Sequence, residues 1–438
     1  MPSNRRCPLP SETPGELARY FDRLWPLLRS LTGEGVRRTH DILAELVPLE
    51  RLEIPTGTAC FDWTVPTEWI CRQAYIVAPD GRRMLDVAEY NLHLVNYSVP
   101  FRGTLRRAKL DEHLHSLPDQ PDAIPYVTSY YAPRWGFCLT QRQRDRLPEG
   151  DYQVMIDTEH VAGSMTISHT VLPGDQPDEV LISTYTCHPS LANDNLSGPL
   201  AAAFLYRRLA ALPQRRMTYR FVWLPETIGS IAYLQRLGEH LRRRLVAGYV
   251  VSCIGDPAPF TYKRSRRGDT PADRAALIAL RKFSGERLRL LDFDPSGSDE
   301  RQYCSPGFDL PVGVIARSIY GSYPEYHTSL DNRDFISFEA LVESVGALLA
   351  TLLVLDRNVV YRRTNPYGEP ELGRRGLYPT LGTRRQRDER LTALLWLLNL
   401  ADGRHDLVAI AERSGADFDL LHELAGECLR AGLIDGPA

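Results

Sequence analysis

Eight cysteines in 438 residues, with no C-x-x-C pair among them, are too few and too scattered for a disulfide scaffold or a structural zinc finger. Several lie in apolar runs and read as small core residues. Charge of one sign is also lacking. The formal net charge of −3 gives no overall pull toward nucleic acid or an anionic membrane. No apolar run approaches the roughly 18 residues that cross a bilayer, so no membrane partner is expected. The N-terminus, MPSNRRCPLPSETPGE, carries two arginines but no apolar stretch behind them, and does not read as a secretory signal. A cytoplasmic location is the resulting expectation.

What is present is the composition of a globular protein, 43% hydrophobic and 24% charged, in a chain long enough for two or three domains. Helical patterns run from Pro14 to about Leu46. From about Phe61 to Ile156 strand-like pieces alternate with turns such as APDGRR and LPEGD, which reads as a mainly β module. From about Asp157 to Asn358 apolar strands alternate with amphipathic helices, the pattern of an α/β layer with a largely parallel sheet. Helices follow from about Arg384.

Sheets of this kind place their sites beyond the carboxyl ends of the strands. The strand VLISTYT ends at Cys187-His188, with Asp194 shortly after, in CHPSLANDNLSG. YRFVWLP ends at Pro225-Glu226, and VVSCIG ends near Ser252–Asp256. EYHTSLDN, with His327, precedes the last helix of the layer. Two histidines and two or three carboxylates on separate strand-end loops are the ligand types of a catalytic zinc. Taken singly, each has a plainer reading. His188 could be a hydrogen-bonded loop residue, Glu226 could pair with an arginine, and Asp194, Asn193 or Asn195 could cap the helix that follows.

Four motifs in order resemble the co-catalytic zinc aminopeptidases, the superfamily that includes bacterial leucyl aminopeptidases and glutaminyl cyclases. HPSLANDNLSG resembles the metal motif with a D-N-x-S-G turn opening a helix. FVWLPETIGSIAYL resembles the strand that ends in a Glu pair, SGSDERQYCSPGFDLPVGVI the S-D-H-x-x-F segment, and EYHTSLDN the Y-H-T-x-x-D signature. The layout is similar to a bacterial aminopeptidase-like family with an inserted β domain and a C-terminal winged helix. The resemblance implies a three-layer α/β/α core with a mostly parallel mixed sheet, built from residues 1–60 and 157–372. It also implies an inserted β domain over 61–156, able to act as a lid, and a winged-helix domain over 373–438.

The resemblance further implies one or two Zn²⁺ ions. His188 would bind one, Asp194 would bridge, Glu226 and His327 would hold the second, and a third-strand carboxylate, here Asp256, would complete the first. Manganese or cobalt suits the same donors. The chain departs from the pattern at three points. Pro225 stands where the first glutamate of the pair is usual, leaving Glu226 as either ligand or base, with Glu300 or Glu325 as the alternative base. Asp256 is displaced from the usual position near Ser252 or Cys253. Ser190 replaces a second-layer aspartate.

The expected activity is hydrolysis of an amide, as an aminopeptidase or a small-molecule amidohydrolase. The other reading is a descendant that binds without catalysing. A small-molecule or peptide substrate is expected, and an anionic one would suit either the basic run Lys263, Arg264, Arg266 and Arg267 or Arg301. Asp299, Arg301, Glu325, Tyr326 and His93 are candidate substrate contacts, with Glu300 or Glu325 as partner for a free amine. From Glu389 onward nine acids stand against four arginines. A phosphate-tracking surface needs the opposite sign, so no nucleic-acid partner is expected, and the acidic module is a candidate surface for self-association.

Overall fold

A computed structural model of the chain describes residues 12–378 and 384–436, the side chains of 384–387 excepted. Two compact units result. The first runs to Asp273 and resumes over Phe283–Leu349; the second takes Arg274–Lys282 and the chain from Ala350 onward.

The first unit is organised by an eight-stranded sheet: β1 Glu50–Pro55, β2 Ser164–Leu172, β3 Glu179–Tyr185, β4 Thr218–Leu224, β5 Leu245–Val251, β6 Thr261–Lys263, β7 Arg289–Leu291 and β8 Val312–Ala316. Their order is β1-β2-β4-β3-β5-β8-β6-β7. The middle four, β4, β3, β5 and β8, run parallel, while β1, β2 and β6 join antiparallel. Every residue of β3 and β4 is buried, because helices cover both faces and the strands read as continuous apolar runs. Successive side chains alternate faces. Leu181, Tyr185, Val222 and Leu224 therefore share a core with Ile228, Ile231 and Ala232 of helix Ile228–Arg244. On the opposite face Phe221 meets Tyr206, and Trp223 Nε1 donates to Pro199 O, both partners on helix Ser197–Ala210. The result is the α/β/α layering expected.

Helix Phe338–Arg357 departs from expectation. Its 20 residues are long and apolar enough by composition to cross a bilayer, although the sequence suggested no such run. Most of that apolar stretch, 61%, is buried inside the protein instead, with Leu341, Val345, Leu348 and Leu352 among its inward residues.

The inserted module is part of the first unit. Its four-stranded antiparallel sheet is ordered Arg83–Met84, Glu68–Val77, Asp151–Val161, Phe101–Arg106, around Trp69, Ile76, Phe137 and Tyr152. The last long strand continues to Val161, five residues past the edge read from sequence.

In the second unit, helices Arg384–Leu400, Leu407–Ser414 and Phe418–Arg430 accompany a three-stranded sheet of Val360–Arg363, Asp402–Asp406 and Ile434–Asp435. Asp406 and Asp417 cap the second and third helices, accepting from Ala409 N at 2.7 Å and Asp419 N at 2.9 Å.

One buried histidine in the first unit has a measurable consequence. His40, on helix Glu34–Leu43, lies between Thr186 (Nε2 to Oγ1, 3.1 Å) and Ser168 (Nδ1 to Oγ, 2.8 Å) and is wholly buried. Burial, helped by Arg51, lowers its pKa from 6.5 to about 3. Between these values the unfolded chain binds a proton that the folded chain refuses, so stability present above pH 6.5 is lost as pH falls. At pH 5 this group alone costs about 2 kcal/mol. Urea melts at pH 7 and pH 5 test this: His40→Gln loses that much less stability on acidification than the unaltered protein.

Candidate metal centre and active site

The turn after β3 is held by its asparagines. Asn195 Nδ2 donates to Thr184 Oγ1 at 3.0 Å and to Tyr185 O at 3.2 Å, while its Oδ1 accepts from Gly198 N at 3.1 Å at the start of helix Ser197–Ala210. Asn193 Oδ1 accepts from Gly255 N at 2.8 Å, and its carbonyl accepts from Ser197 Oγ at 2.7 Å. The capping role that Asp194 could have filled therefore belongs to Asn195, and Asp194 is free to face the strand ends. Gly198 has no room for a side chain. A Cβ there would lie 2.4 Å from Val251 O and 2.6 Å from Asn195 Oδ1.

Among the described residues, one group of three or more His, Cys, Asp or Glu can offer donor atoms to a single ion: His188, Asp194 and His327, with all three donor atoms within 4.8 Å of one another. His327 Nε2 stands 3.0 Å from Asp194 Oδ2, and the rings of His188 and His327 are 5.4 Å apart. Asp194 Oδ1 accepts from the Tyr185 hydroxyl, whereas Asp194 Oδ2 and His327 Nε2 are buried and have no polar partner beyond their own 3.0 Å approach. Buried polar atoms are ordinarily satisfied, so two orphans facing each other in one pocket fit a bound cation. Two imidazoles and a carboxylate, with a further position open, are the donor set of a catalytic zinc.

The electrostatics agree with ligand duty. Burial lowers the His188 pKa to about 4, which keeps its imidazole neutral. Burial pushes the Asp194 carboxyl up, but His188, His327 and Tyr185 outweigh it and hold the pKa down at about 2. Asp194 is therefore ionised. Four non-glycine residues around the cluster, Ser190, Thr227, Cys253 and His327, adopt left-handed backbone with φ of 44°, 65°, 49° and 54°. Such conformations cost energy and concentrate where side chains must be aimed.

Glu226 sits beside the cluster and not within it. Its Oε2 is 3.8 Å from His188 Nε2, and its side chain is 26% exposed at the cavity floor. Burial, then the negative charges of Asp299 and Asp194, raise its pKa well above the usual carboxylate range. Asp299 Oδ1 accepts from Thr227 N at 2.7 Å and Ser230 Oγ at 2.8 Å, yet burial still pushes its pKa up to about 7. Asp299 thus acts on Glu226 from behind the loop.

Asp256 does not join the cluster. Its carboxylate accepts from Asn193 Nδ2, Ser318 N and Ser318 Oγ, and from Ala258 N, all at 2.9–3.0 Å. With its lone pairs spent, it braces the Asp194 turn through Asn193. Glu300 is likewise committed elsewhere. It is fully buried, its Oε1 accepting from Lys263 Nζ at 2.9 Å and Tyr320 OH at 2.8 Å. Lys263 belongs to that buried pair, and Arg266 and Arg267 reach Asp309, so the basic run forms no clamp at the cluster. His93 is buried in the module with Nδ1 on Cys138 O at 2.9 Å. Tyr326 stacks on the His327 ring at 3.9 Å. Neither Glu325, Tyr326 nor His93 lines the cavity, whereas Arg301 does.

That cavity measures about 350 Å³ and opens onto Cys187, His188, Glu226 and His327, with Tyr126, Tyr130, Tyr131 and Trp63 as aromatic walls. The walls come from the inserted module and its approach. A short pairing aligns them: Pro125 bridges to Thr328, and Tyr126 N donates to His327 O at 2.7 Å. The Tyr126 ring then lies 5.1 Å from His188 and 5.2 Å from His327.

Three supporting residues went unassigned in the sequence. Asp331 accepts from Asn193 N at 2.6 Å and Asp194 N at 2.8 Å; burial raises its pKa to about 8. Its position as the last residue of Y-H-T-x-x-D was the available signal. Buried Arg29 donates from Nε to His188 O at 2.8 Å, and Tyr185 orients Asp194. Nothing in the local sequence marks either.

Residues 18–358 match a family described as a domain of unknown function, DUF4910, and residues 359–436 match a winged helix-turn-helix family. A Clostridium acetobutylicum protein, named for polysaccharide biosynthesis and an aminopeptidase-like domain, is 41% identical over 97% of both chains. The chain belongs to the DUF4910 family. A crystal structure of a Clostridium acetobutylicum protein named as a peptidase superposes with a TM-score of 0.90, at 40% identity over 96% of each chain. The zinc aminopeptidase of Bacillus subtilis shares the fold at 13% identity, with a TM-score of 0.56 over 78% of this chain and 95% of that one. This DUF4910 chain is thus an aminopeptidase-like α/β protein carrying a C-terminal winged helix, in the fold of the zinc aminopeptidases.

Proposed function

We propose that the protein is a zinc-dependent hydrolase of amide bonds, of aminopeptidase or small-molecule amidohydrolase type. The observation that carries this reading is the cluster His188, Asp194 and His327, with its two orphaned buried atoms, beside Glu226 on the floor of a cavity. These three residues would hold one ion, since Asp256 is spent on hydrogen bonds and Glu226, a single glutamate behind Pro225, stands beside the cluster. When bound there, zinc supplies a Lewis acid that polarises a carbonyl and acidifies water.

The chain's own residues do the rest. Tyr185 fixes Asp194 Oδ1, so that Oδ2 faces the cluster. Arg29 and Asp331 hold the backbone of His188 and of Asp194. Glu226 takes a proton from water as the C–O bond forms and returns it to the leaving nitrogen as the C–N bond breaks. Burial, with the charges of Asp299 and Asp194, raises its pKa, which makes its carboxylate the stronger proton acceptor. The aromatic walls exclude bulk water.

The winged-helix module is proposed as a packing or partner-binding element. From Glu389 onward nine acids stand against four arginines, an excess of negative charge that would repel phosphate.

Dialysis against a chelator, followed by assay of N-acyl amino acids and amino-acid amides with and without restored Zn²⁺, tests the proposal. Turnover that disappears on chelation and returns with Zn²⁺ is expected. An ion that binds without any metal-dependent turnover across the panel would favour a binding protein on the same fold.

A further inference from the structure

Among the described lining residues of the cavity, Arg301 is the one arginine or lysine. Its Nη2 donates to Thr227 Oγ1 at 3.1 Å, a neutral partner. Its Nε is buried with no partner, and among the described residues the guanidinium forms no ion pair. Arg220 and Arg317 of this unit lie against Glu179 and Glu343, whereas buried Arg29 donates to the carbonyls of Leu24 and His188. A guanidinium with an unspent buried N–H beside a cavity suits a ligand oxygen, and its planar fork suits a carboxylate best.

The acids on the cavity give the complementary indication. A substrate with a free amino terminus needs a carboxylate to receive its ammonium group. Glu300 is tied to Lys263 and Tyr320, and Glu325 does not line the cavity. Glu226 is the lining acid, and it is engaged in proton transfer. The cavity thus offers a cation hydrogen-bonded to a neutral hydroxyl, its charge felt by Glu226 and Asp299, with no spare anion and flat aromatic walls. Its volume of about 350 Å³ lies at the small end for ligand pockets.

We infer that the site takes a small amide that bears a carboxylate and is acylated on nitrogen, of the N-acyl amino acid class, rather than a peptide with a free amino terminus. The carboxylate sits on Arg301, and the apolar part packs against Tyr126, Tyr130 and Trp63. This deepens the hydrolase reading for where the scissile bond lies, while the anion contact stands apart from it.

Calorimetric titration of the full-length, zinc-loaded protein tests the inference with three probes: N-acetyl-L-phenylalanine, its primary amide, and L-phenylalaninamide. The acid is expected to bind about 10-fold or more tightly than either amide. Arg301→Met should abolish that preference, and Arg301→Lys, which keeps the charge without the fork, should keep only part of it. Equal binding of acid and amide by the unaltered protein would overturn the inference. So would a preference that survives Arg301→Met, or a loss that is equal for all three probes, because an arginine acting only through Glu226 would affect them alike. Should Arg301→Met fail to fold, as judged by its melting curve, the unaltered protein and Arg301→Lys decide between these outcomes. Carboxylate preference without turnover would retire the hydrolase reading and keep the anion site; turnover without preference would do the reverse.

Discussion

Glu226→Gln lowers kcat by roughly 10³-fold while the protein keeps its zinc. Glutamine preserves the volume and the position 3.8 Å from His188 Nε2 but cannot take up a proton. The loss should fall on kcat and leave KM little changed, because the group acts on the reacting water and not on the bound substrate. Steady-state kinetics paired with metal analysis of the same sample decides the point. If zinc is lost along with activity, Glu226 is a ligand and the proton acceptor lies elsewhere. The nearby Asp299 reinforces the expectation, because its charge, added to burial and to Asp194, raises the Glu226 pKa.

Asp194→Asn removes both metal and activity. Its Oδ2 is an orphaned atom between two imidazoles, and its ionised state, with a pKa near 2, is maintained by His188, His327 and Tyr185 against the cost of burial. Asparagine offers a neutral oxygen in the same space, so the fold survives and the site does not. Zinc affinity should fall by more than the roughly 100-fold that loss of an outer-layer partner costs. Zinc content after dialysis, with a melting curve as control for folding, measures it. Retention of zinc by a folded Asp194→Asn protein would remove Asp194 from the coordination sphere.

The α/β layer was legible because β3 and β4, buried on both faces, are near-continuous apolar runs separated by helical segments. His188 and Glu226 were legible because each stands within three residues of a strand end, where chain direction fixes which edge of the sheet it reaches, and Asp194 because it lies in the turn that joins β3 to the next helix. His327 was legible through its motif. Asp256 misled for the same reason in reverse. Proximity to the end of β5 said nothing of which way its side chain turns, and Asn193 and Ser318 hold it away from the cluster. Glu300 and Lys263 looked like a base and a surface cation because 37 residues separate the partners of a buried pair. The cavity walls were hardest to read. Tyr126 reaches the metal side chains through a bridge between Pro125 and Thr328, distant in sequence and carried by backbone groups that leave no compositional trace. Helix Phe338–Arg357 shows a related ambiguity. An apolar 20-residue run suits a bilayer or a protein core, and its burial inside the fold decides between them.

The account stands most directly on where a metal ion binds. Crystals of the full-length protein grown with Zn²⁺, with data collected on both sides of the zinc absorption edge, would locate it by anomalous scattering. One peak per chain is expected within coordination distance of His188, Asp194 and His327, with Glu226 beside it and Asp256 outside. A second peak at Glu226 or Asp256, or no peak among the three residues, would contradict it.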